Sequence, residues 1–221
     1  MNVKLISLTQ PQSQGVHNSA PESAEDLIAF CARVSNPKNQ NNVKTAPKLL
    51  KFLIKHKHWS PFELASMCVE IKTSRAIAAQ ILRHRSFSFQ EFSQRYSQAT
   101  ELEDLELRRP AEKNRQSSDE VIEDVQLRVK AKSIMHQSKL VYDDLIEAGV
   151  AKECARAVLP LGTRTTMYMN GTVRSWIHYI NLRTDQNTQK EHREIAEGVR
   201  TIFIGQFPNT SEALGWVNND R

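Results

Sequence analysis

Apolar positions recur along this chain in two rhythms, one of about 3.6 residues and one of two, and the alternation between them lays out the fold. Residues 2–8 (Asn-Val-Lys-Leu-Ile-Ser-Leu) have the make-up of a strand. From Ala24 to Val34, Leu27, Ile28, Cys31 and Val34 mark one helix face, and the Asn- and Gln-rich stretch 35–45 is a loop. Thr45 caps a helix from Ala46, with Pro47 in its first turn, where a missing N–H costs nothing. Leu49, Leu50, Leu53 and Ile54 form its buried stripe, and Pro61 ends it. From Leu64 to Thr73 the beat becomes two, with Met67, Val69 and Ile71 on one side of a strand.

Ser74 then caps a short helix on which Ile77 and Ile81 share one face and Gln80, Arg83 and His84 another. The residues that follow form a loop, short extended pieces are expected within 94–108, and Pro110 begins an exposed charged loop. Ser117 and Glu120 fit a capping box for a long helix reaching Ala148, with Gly149 as its stop. Val121, Val125 and Val129 are placed on its apolar face, and a drift at Lys132–Ile134 implies a bend or a partner helix. Ala151–Leu159 is a short helix closed by Pro160, and Thr163–Met169 is a strand. Thr172 caps a helix over Val173–Arg183, with Arg174, His178 and Asn181 on one face. Thr188 opens the last major helix, with Ile195, Val199, Ile202 and Phe203 turned inward. Strands and helices interleave without a βαβ rhythm, which predicts an α+β fold. The expectation is a single domain over 1–221, an antiparallel sheet flanked by helices, one of them long.

Composition narrows the class. The 221 residues are 39% hydrophobic and 25% charged, ordinary for a soluble protein with one sizeable core. No apolar run approaches the ~20 residues of a membrane span, and the N-terminal stretch lacks a signal-peptide core. Three widely spaced cysteines without a Cys-x-x-Cys pair fit buried thiols of a cytoplasmic protein. No histidine pattern suits zinc, so no metal is expected; His17, His136 and His192 are taken as structural. The seven glycines make neither a dinucleotide fingerprint nor a P-loop, so any dinucleotide here is held by side chains.

The net charge of +5 favours anionic partners, and it concentrates in one place. Between Arg75 and Arg95 stand four arginines and one glutamate. Such an excess is costly unless an anion offsets it, and arginine's planar fork suits phosphate. Serines and an amide add neutral donors at intervals: Arg83-His84-Arg85, then Ser88, Gln90, Glu91, Ser93 and Arg95.

That spacing resembles the signature of the flavin-dependent thymidylate synthases: Arg-His-Arg, two residues, Ser, one residue, Asn, Glu, one residue, Ser, one residue, Arg. Gln90 replaces the Asn and keeps its amide on a longer stem. The resemblance continues through His58-Trp-Ser-Pro-Phe-Glu63, Ala155-Arg-Ala-Val-Leu-Pro160 and Arg174 to Arg183, and thins at 110–125 and after 205. It implies flavin contacts at Ser60, Arg83, His84, Arg85, Glu91, Arg174 and His178, with Thr172 where many relatives have Asn. It implies contacts to dUMP at Gln80, Arg83, Glu91, Phe92, Ser93, Gln94, Arg95, Arg156 and Arg183. Asn187 stands where many relatives have His. The implied assembly is a homotetramer with active sites shared between subunits. The implied reaction is reductive methylation of dUMP to dTMP, with FAD as cofactor and methylenetetrahydrofolate and NADPH as co-substrates.

That reaction needs a uracil ring made electron-rich at C5, either by a thiolate added at C6 or by stabilising negative charge on the ring. Cys31, Cys68 and Cys154 fit the first route poorly: the first lies on an apolar helix face, the second is next to a core strand position and the third has only Arg156 nearby in sequence. Arg183 fits the second, as a fixed guanidinium facing a developing anion, and is the candidate catalytic residue. Ser93 has no neighbouring base and is taken as a hydrogen-bond donor. Two other classes remain open. A nucleic-acid-binding module explains the arginines, although aromatic residues are not interleaved with them. A relative that kept the fold and lost turnover is consistent with the departures at Gln90, Thr172 and Asn187.

Overall fold

The computed structural model describes residues 2–12, 21–99, 101–114 and 116–217. Strand β1 (Asn2–Leu8) leads to helices α1 (Ala24–Ala32) and α2 (Ala46–Lys55), then β2 (Ser66–Ser74), α3 (Arg75–Ile81) and β3 (Ser88–Glu91). Next come a small hairpin, β4 (Arg108–Pro110) and β5 (Ser118–Val121), and the 23-residue helix α4 (Val125–Glu147). The chain finishes with α5 (Lys152–Ala155), β6 (Arg164–Thr172), α6 (Val173–Arg183), α7 (Lys190–Gln206) and α8 (Pro208–Ala213).

The main sheet is antiparallel, in the order β1-β2-β6-β3. Its period-two pattern sorts side chains onto two faces. Met67, Val69, Ile71, Met167 and Met169 are fully buried beneath the helices. On the other face Glu70, Lys72 and Tyr168 remain partly or fully exposed, as the alternation requires. Helix α6 seals the buried face with Val173, Trp176, Ile177 and Ile180, spaced three and four apart. Trp176 also anchors the sheet by donating its Nε1–H to the Met67 carbonyl at 2.9 Å. One core gathers these residues with Ile28, Leu50, Phe62 and, from α7, Ile195, Val199 and Phe203.

The caps at Ser74 and Thr172 lie where the sequence places them: each hydroxyl accepts from a backbone N–H three residues on. Gly149, at φ 82°, stops α4 after Ala148. Several expectations need correction. Thr45 makes no side-chain cap on α2 and accepts from Arg33 at 2.8 Å instead. Helix α2 stops at Lys55, and Pro61 lies in a separate 3-10 turn, Ser60–Glu63. Val34 lies past the end of α1 and is exposed, α7 starts at Lys190 and not at Thr188, and Cys154 is exposed. The 88–91 stretch is a strand hydrogen-bonded to β6, not a loop. The exposed loop beginning at Pro110 is part of the β4–β5 hairpin. Ser117 and Glu120 do not cap α4; Ser117 closes the hairpin turn on Asn114, while Asp124 accepts from Gln126 and Leu127 to cap the helix. Val121, Val125 and Val129 face solvent in this chain, at 46%, 68% and 60% exposure, so they form no intrachain core face. His17 lies outside the described residues. Among the described residues no helix is long and apolar enough to cross a membrane.

Candidate active site

Helix α3 is short because its apolar positions, Ile77, Ala78 and Ile81, run out where the basic triplet begins. Arg83 and His84 follow in a turn, their backbone N–H groups bonded to Gln80 and Ile81 carbonyls at 3.3 and 3.0 Å. Phe87 fixes the end of that turn. Its ring lies edge-on to Trp176, 4.6 Å between centroids, and covers Gly171, where a Cβ would fall 2.4 Å from the ring. The glycine in β6 therefore makes room for the signature to cross the sheet.

From the other side, α6 ends at Arg183, whose Nε donates to Nε2 of His84 at 2.9 Å. Guanidinium only donates, so His84 accepts at Nε2 and is neutral. Burial, reinforced by the Arg183 charge, pushes His84 down to about 4. His192 on α7 lies behind it, fully buried, with Tyr179 Oη at 3.2 Å from Nε2 and Gln80 Oε1 at 3.4 Å from Nδ1. Burial first, then the proximity of Arg183 and His84, lower His192 to about 3. Both imidazoles are thus neutral at physiological pH. Burial also raises the Tyr179 hydroxyl, which stays protonated.

These residues open onto a cleft of about 910 Å³, lined by Gln80, Arg83, His84, Arg183, the 181–189 stretch and Gln116. Gln116 comes from the hairpin turn, which docks on the stretch after α6: Asn114 Nδ2 donates to Asn187 Oδ1 and Ser117 Oγ to the Asn187 carbonyl, both at 3.3 Å. Sequence reasoning missed Gln116 and Gln189. Neither has a motif, and only the hairpin's docking brings Gln116 to the cleft.

The other candidates lie elsewhere on the chain. Glu91, half-buried on β3, accepts from Arg75 at 2.7 Å and from Thr165 Oγ1 at 2.9 Å. Phe92 lines a separate cavity of about 400 Å³ beside Thr165. Gln94 is buried, its amide nitrogen without a hydrogen-bond partner among the described residues. Ser93 and Arg95 line an exposed groove of about 340 Å³, where Arg95 pairs with Glu153 at 3.0 Å. Arg156 starts the turn after α5 and is partly exposed. Arg174 pairs with Glu63 next to the exposed Ser60, and His178 lies edge-on to Trp59 at 5.3 Å. Thr172 spends its hydroxyl on capping α6, with Ser175 N at 3.3 Å. One chain thus unites Gln80, Arg83, His84 and Arg183, and leaves the remaining candidates in separate patches.

The family described as thymidylate synthase complementing protein matches residues 18–209. The chain belongs to that family. It is 53% identical over 221 residues to a probable flavin-dependent thymidylate synthase of Paramecium bursaria Chlorella virus 1, covering 98% of this chain and all of the relative. It is 52% identical to a flavin-dependent thymidylate synthase of Synechocystis, with the same coverage. Among solved structures, a UMP/dUMP methylase from Streptomyces cacaoi bound with 5-Br dUMP superposes with a TM-score of 0.80 at 25% identity, over 97% of this chain and 94% of that one.

Within this family member the donor set suits a phosphate-bearing cofactor. Arg83 and Arg85 are exposed, and among the described residues neither guanidinium meets a carboxylate. Such free forks are what a pyrophosphate needs where no glycine-rich loop is present. The Arg95–Glu153 pair is exposed and weak, ~0.2–1 kcal/mol on the scale of surface bridges, so Arg95 can exchange this partner at small cost.

Proposed function

We propose that this chain is a flavin-dependent thymidylate synthase that converts dUMP to dTMP, with methylenetetrahydrofolate as carbon donor and NADPH as reductant. The observation that carries the proposal is the cleft itself: two arginines, a neutral His84 and an amide meet there in a chain of this family. In this reading Ser60, Arg83, His84, Arg85, Glu91, Thr172, Arg174 and His178 hold FAD. Gln80, Arg83, Glu91, Phe92, Ser93, Gln94, Arg95, Arg156 and Arg183 hold the nucleotide. When bound, the flavin, reduced by NADPH, supplies the hydride that completes the methyl group.

The chain's own part is positioning and electrostatics. Arg183 is held by His84 through Nε, which leaves its terminal N–H groups for the pyrimidine edge. A fixed guanidinium there stabilises negative charge as the ring attacks the carbon donor. Neutral His84 anchors that guanidinium without competing for the charge. No cysteine lines the cleft, and burial pushes the thiols of Cys31 and Cys68 up, away from the reactive thiolate. An enzyme nucleophile is therefore not part of the proposal.

The separate patches support an active site completed by other copies of the chain, in a homotetramer of single-domain subunits (1–221) working in the cytoplasm. The deciding experiment is dTMP formation by the FAD-supplemented protein with dUMP, methylenetetrahydrofolate and NADPH. Turnover that requires all three substrates supports the proposal. A protein that retains FAD and dUMP but makes no dTMP rejects it.

A further inference from the structure

Along the wall of the cleft runs a hydrogen-bonded chain that ends on the hairpin. Arg108, only 8% exposed at its side chain, donates to Glu106 at 2.6 Å and to Oε1 of Glu191 at 2.5 Å. Glu191 Oε2 accepts from Gln189 Nε2 at 2.9 Å, and Gln189 Oε1 accepts from Gln80 Nε2 at 2.7 Å. Gln80 Oε1 then faces His192 Nδ1, and His192 Nε2 faces Tyr179 Oη.

The direction of every link is forced. A guanidinium only donates and a carboxylate only accepts. Gln189 must therefore turn its amide N–H toward Glu191 and its oxygen toward Gln80. Gln80 must then offer N–H to Gln189 and its oxygen to His192. His192, neutral, carries its proton on Nδ1 and accepts at Nε2 from the Tyr179 hydroxyl. Rotating any one amide by 180° would set oxygen against oxygen at one end and N–H against N–H at the other. A chain polarised in one sense also strengthens its own links. Gln80 keeps one N–H hydrogen beyond the link to Gln189, and Gln80 lines the cleft.

We propose that Arg108, Glu191 and His192 are positioning residues that lock the Gln80 amide so that it presents a donor, not an acceptor, to an oxygen of the bound nucleotide. This rests on the reading of Gln80 as a nucleotide contact. Arg108, at the root of the β4–β5 hairpin, thereby acts on substrate recognition from outside the cleft: it fixes the charge at the far end of the chain. A purely structural stitch between the hairpin and α7 would hold the two together but would not work through Gln80.

The test is a double-mutant cycle on dUMP affinity, measured by calorimetry on FAD-loaded protein. Glu191→Gln keeps the shape, but Arg108 takes the new amide's oxygen and its N–H faces Gln189, so both glutamines must turn over and Gln80 presents an acceptor. It is expected to weaken dUMP binding tenfold or more with FAD retained. In a Gln80→Ala background the same change is expected to add less than twofold. Arg108→Met leaves the Glu191 carboxylate a pure acceptor, so the polarity of the chain is expected to survive and dUMP binding to weaken less than in Glu191→Gln. In a ¹⁵N-histidine spectrum, His192 is expected as the Nδ1–H tautomer in the wild type and as the Nε2–H tautomer in Glu191→Gln. Losses that multiply in the double variants, or a Glu191→Gln affinity within twofold of wild type, overturn the proposal. So does a Gln80→Ala protein that binds dUMP normally. The proposed activity is judged separately, by wild-type dTMP formation, so the two failures are distinct.

Discussion

The guanidinium of Arg183 and the imidazole of His84 meet through Nε and Nε2 at 2.9 Å, across 99 residues of sequence. The contact makes each residue dependent on the other: the histidine must be neutral to accept, and the arginine is held with its planar end free. Lysine can reproduce the charge of Arg183 but neither the side-on anchor nor the paired donors. Arg183→Lys is therefore expected to retain FAD and NADPH oxidation while dTMP formation at saturating dUMP falls ~100-fold, the scale of losing a transition-state donor. Near-normal turnover with only a raised KM would reduce Arg183 to an anchor.

Arg85 follows His84 in the signature turn, exposed and without a carboxylate partner among the described residues. Arg85→Ala is expected to weaken FAD binding by ~1.5–3 kcal/mol, the usual loss for a charge-assisted contact. The yellow chromophore retained through gel filtration measures it. Unchanged retention would remove Arg85 from the cofactor site.

The two neutral imidazoles predict an acid limit to stability. Their folded values, about 4 for His84 and about 3 for His192, lie below the ordinary 6.5. The unfolded chain therefore takes up these protons first as the pH falls. The stabilisation is complete above pH 6.5 and is lost progressively below it, down through pH 4 and 3. For buried His192 the loss at pH 5 is about 2 kcal/mol. Urea unfolding at pH 7 and pH 5 should show it, and His192→Gln should flatten the difference. An equally steep pH dependence in that variant would exclude His192 as a source.

Gly171 supports the signature from below. An alanine there would drive its Cβ to 2.4 Å from the Phe87 ring, itself packed on Trp176. Gly171→Ala is expected to cost ~1–3 kcal/mol, typical of overpacking, and to displace the 83–88 turn. A lowered Tm together with weaker FAD retention is the expected pair of results. A variant with wild-type values for both would show that Phe87 moves freely.

Local rules made much of this legible. The strand at 66–74 follows from period two and that at 164–172 from its β-branched and aromatic residues, and Ser74 and Thr172 betray the helices they cap because the capping chemistry is local. The 88–91 strand was hidden. Its four residues, Ser-Phe-Gln-Glu, carry one apolar side chain, and their extended form comes from pairing with β6. Ser117 misled for a related reason: its hydroxyl can serve a helix or a turn, and the docked hairpin claims it for the turn. The signature gave Arg83 and His84, and the wider resemblance Gln80, whereas Gln189 reaches Gln80 across 109 positions of sequence and Arg108 reaches Glu191 across 83.

The groove of Ser93 and Arg95 and the surface of Ser60 and Arg174 lie apart from the cleft of Arg183 on the same chain. For genetics this has a direct meaning under a shared-site assembly. Two defective alleles, Arg95→Ala and Arg183→Lys, can rescue one another, because a mixed assembly contains some sites whose borrowed and native halves are both intact. Co-expressing the two in a thymidine-requiring host should restore growth that neither allele supports alone. Lethality at this locus would then be a property of pairs of alleles.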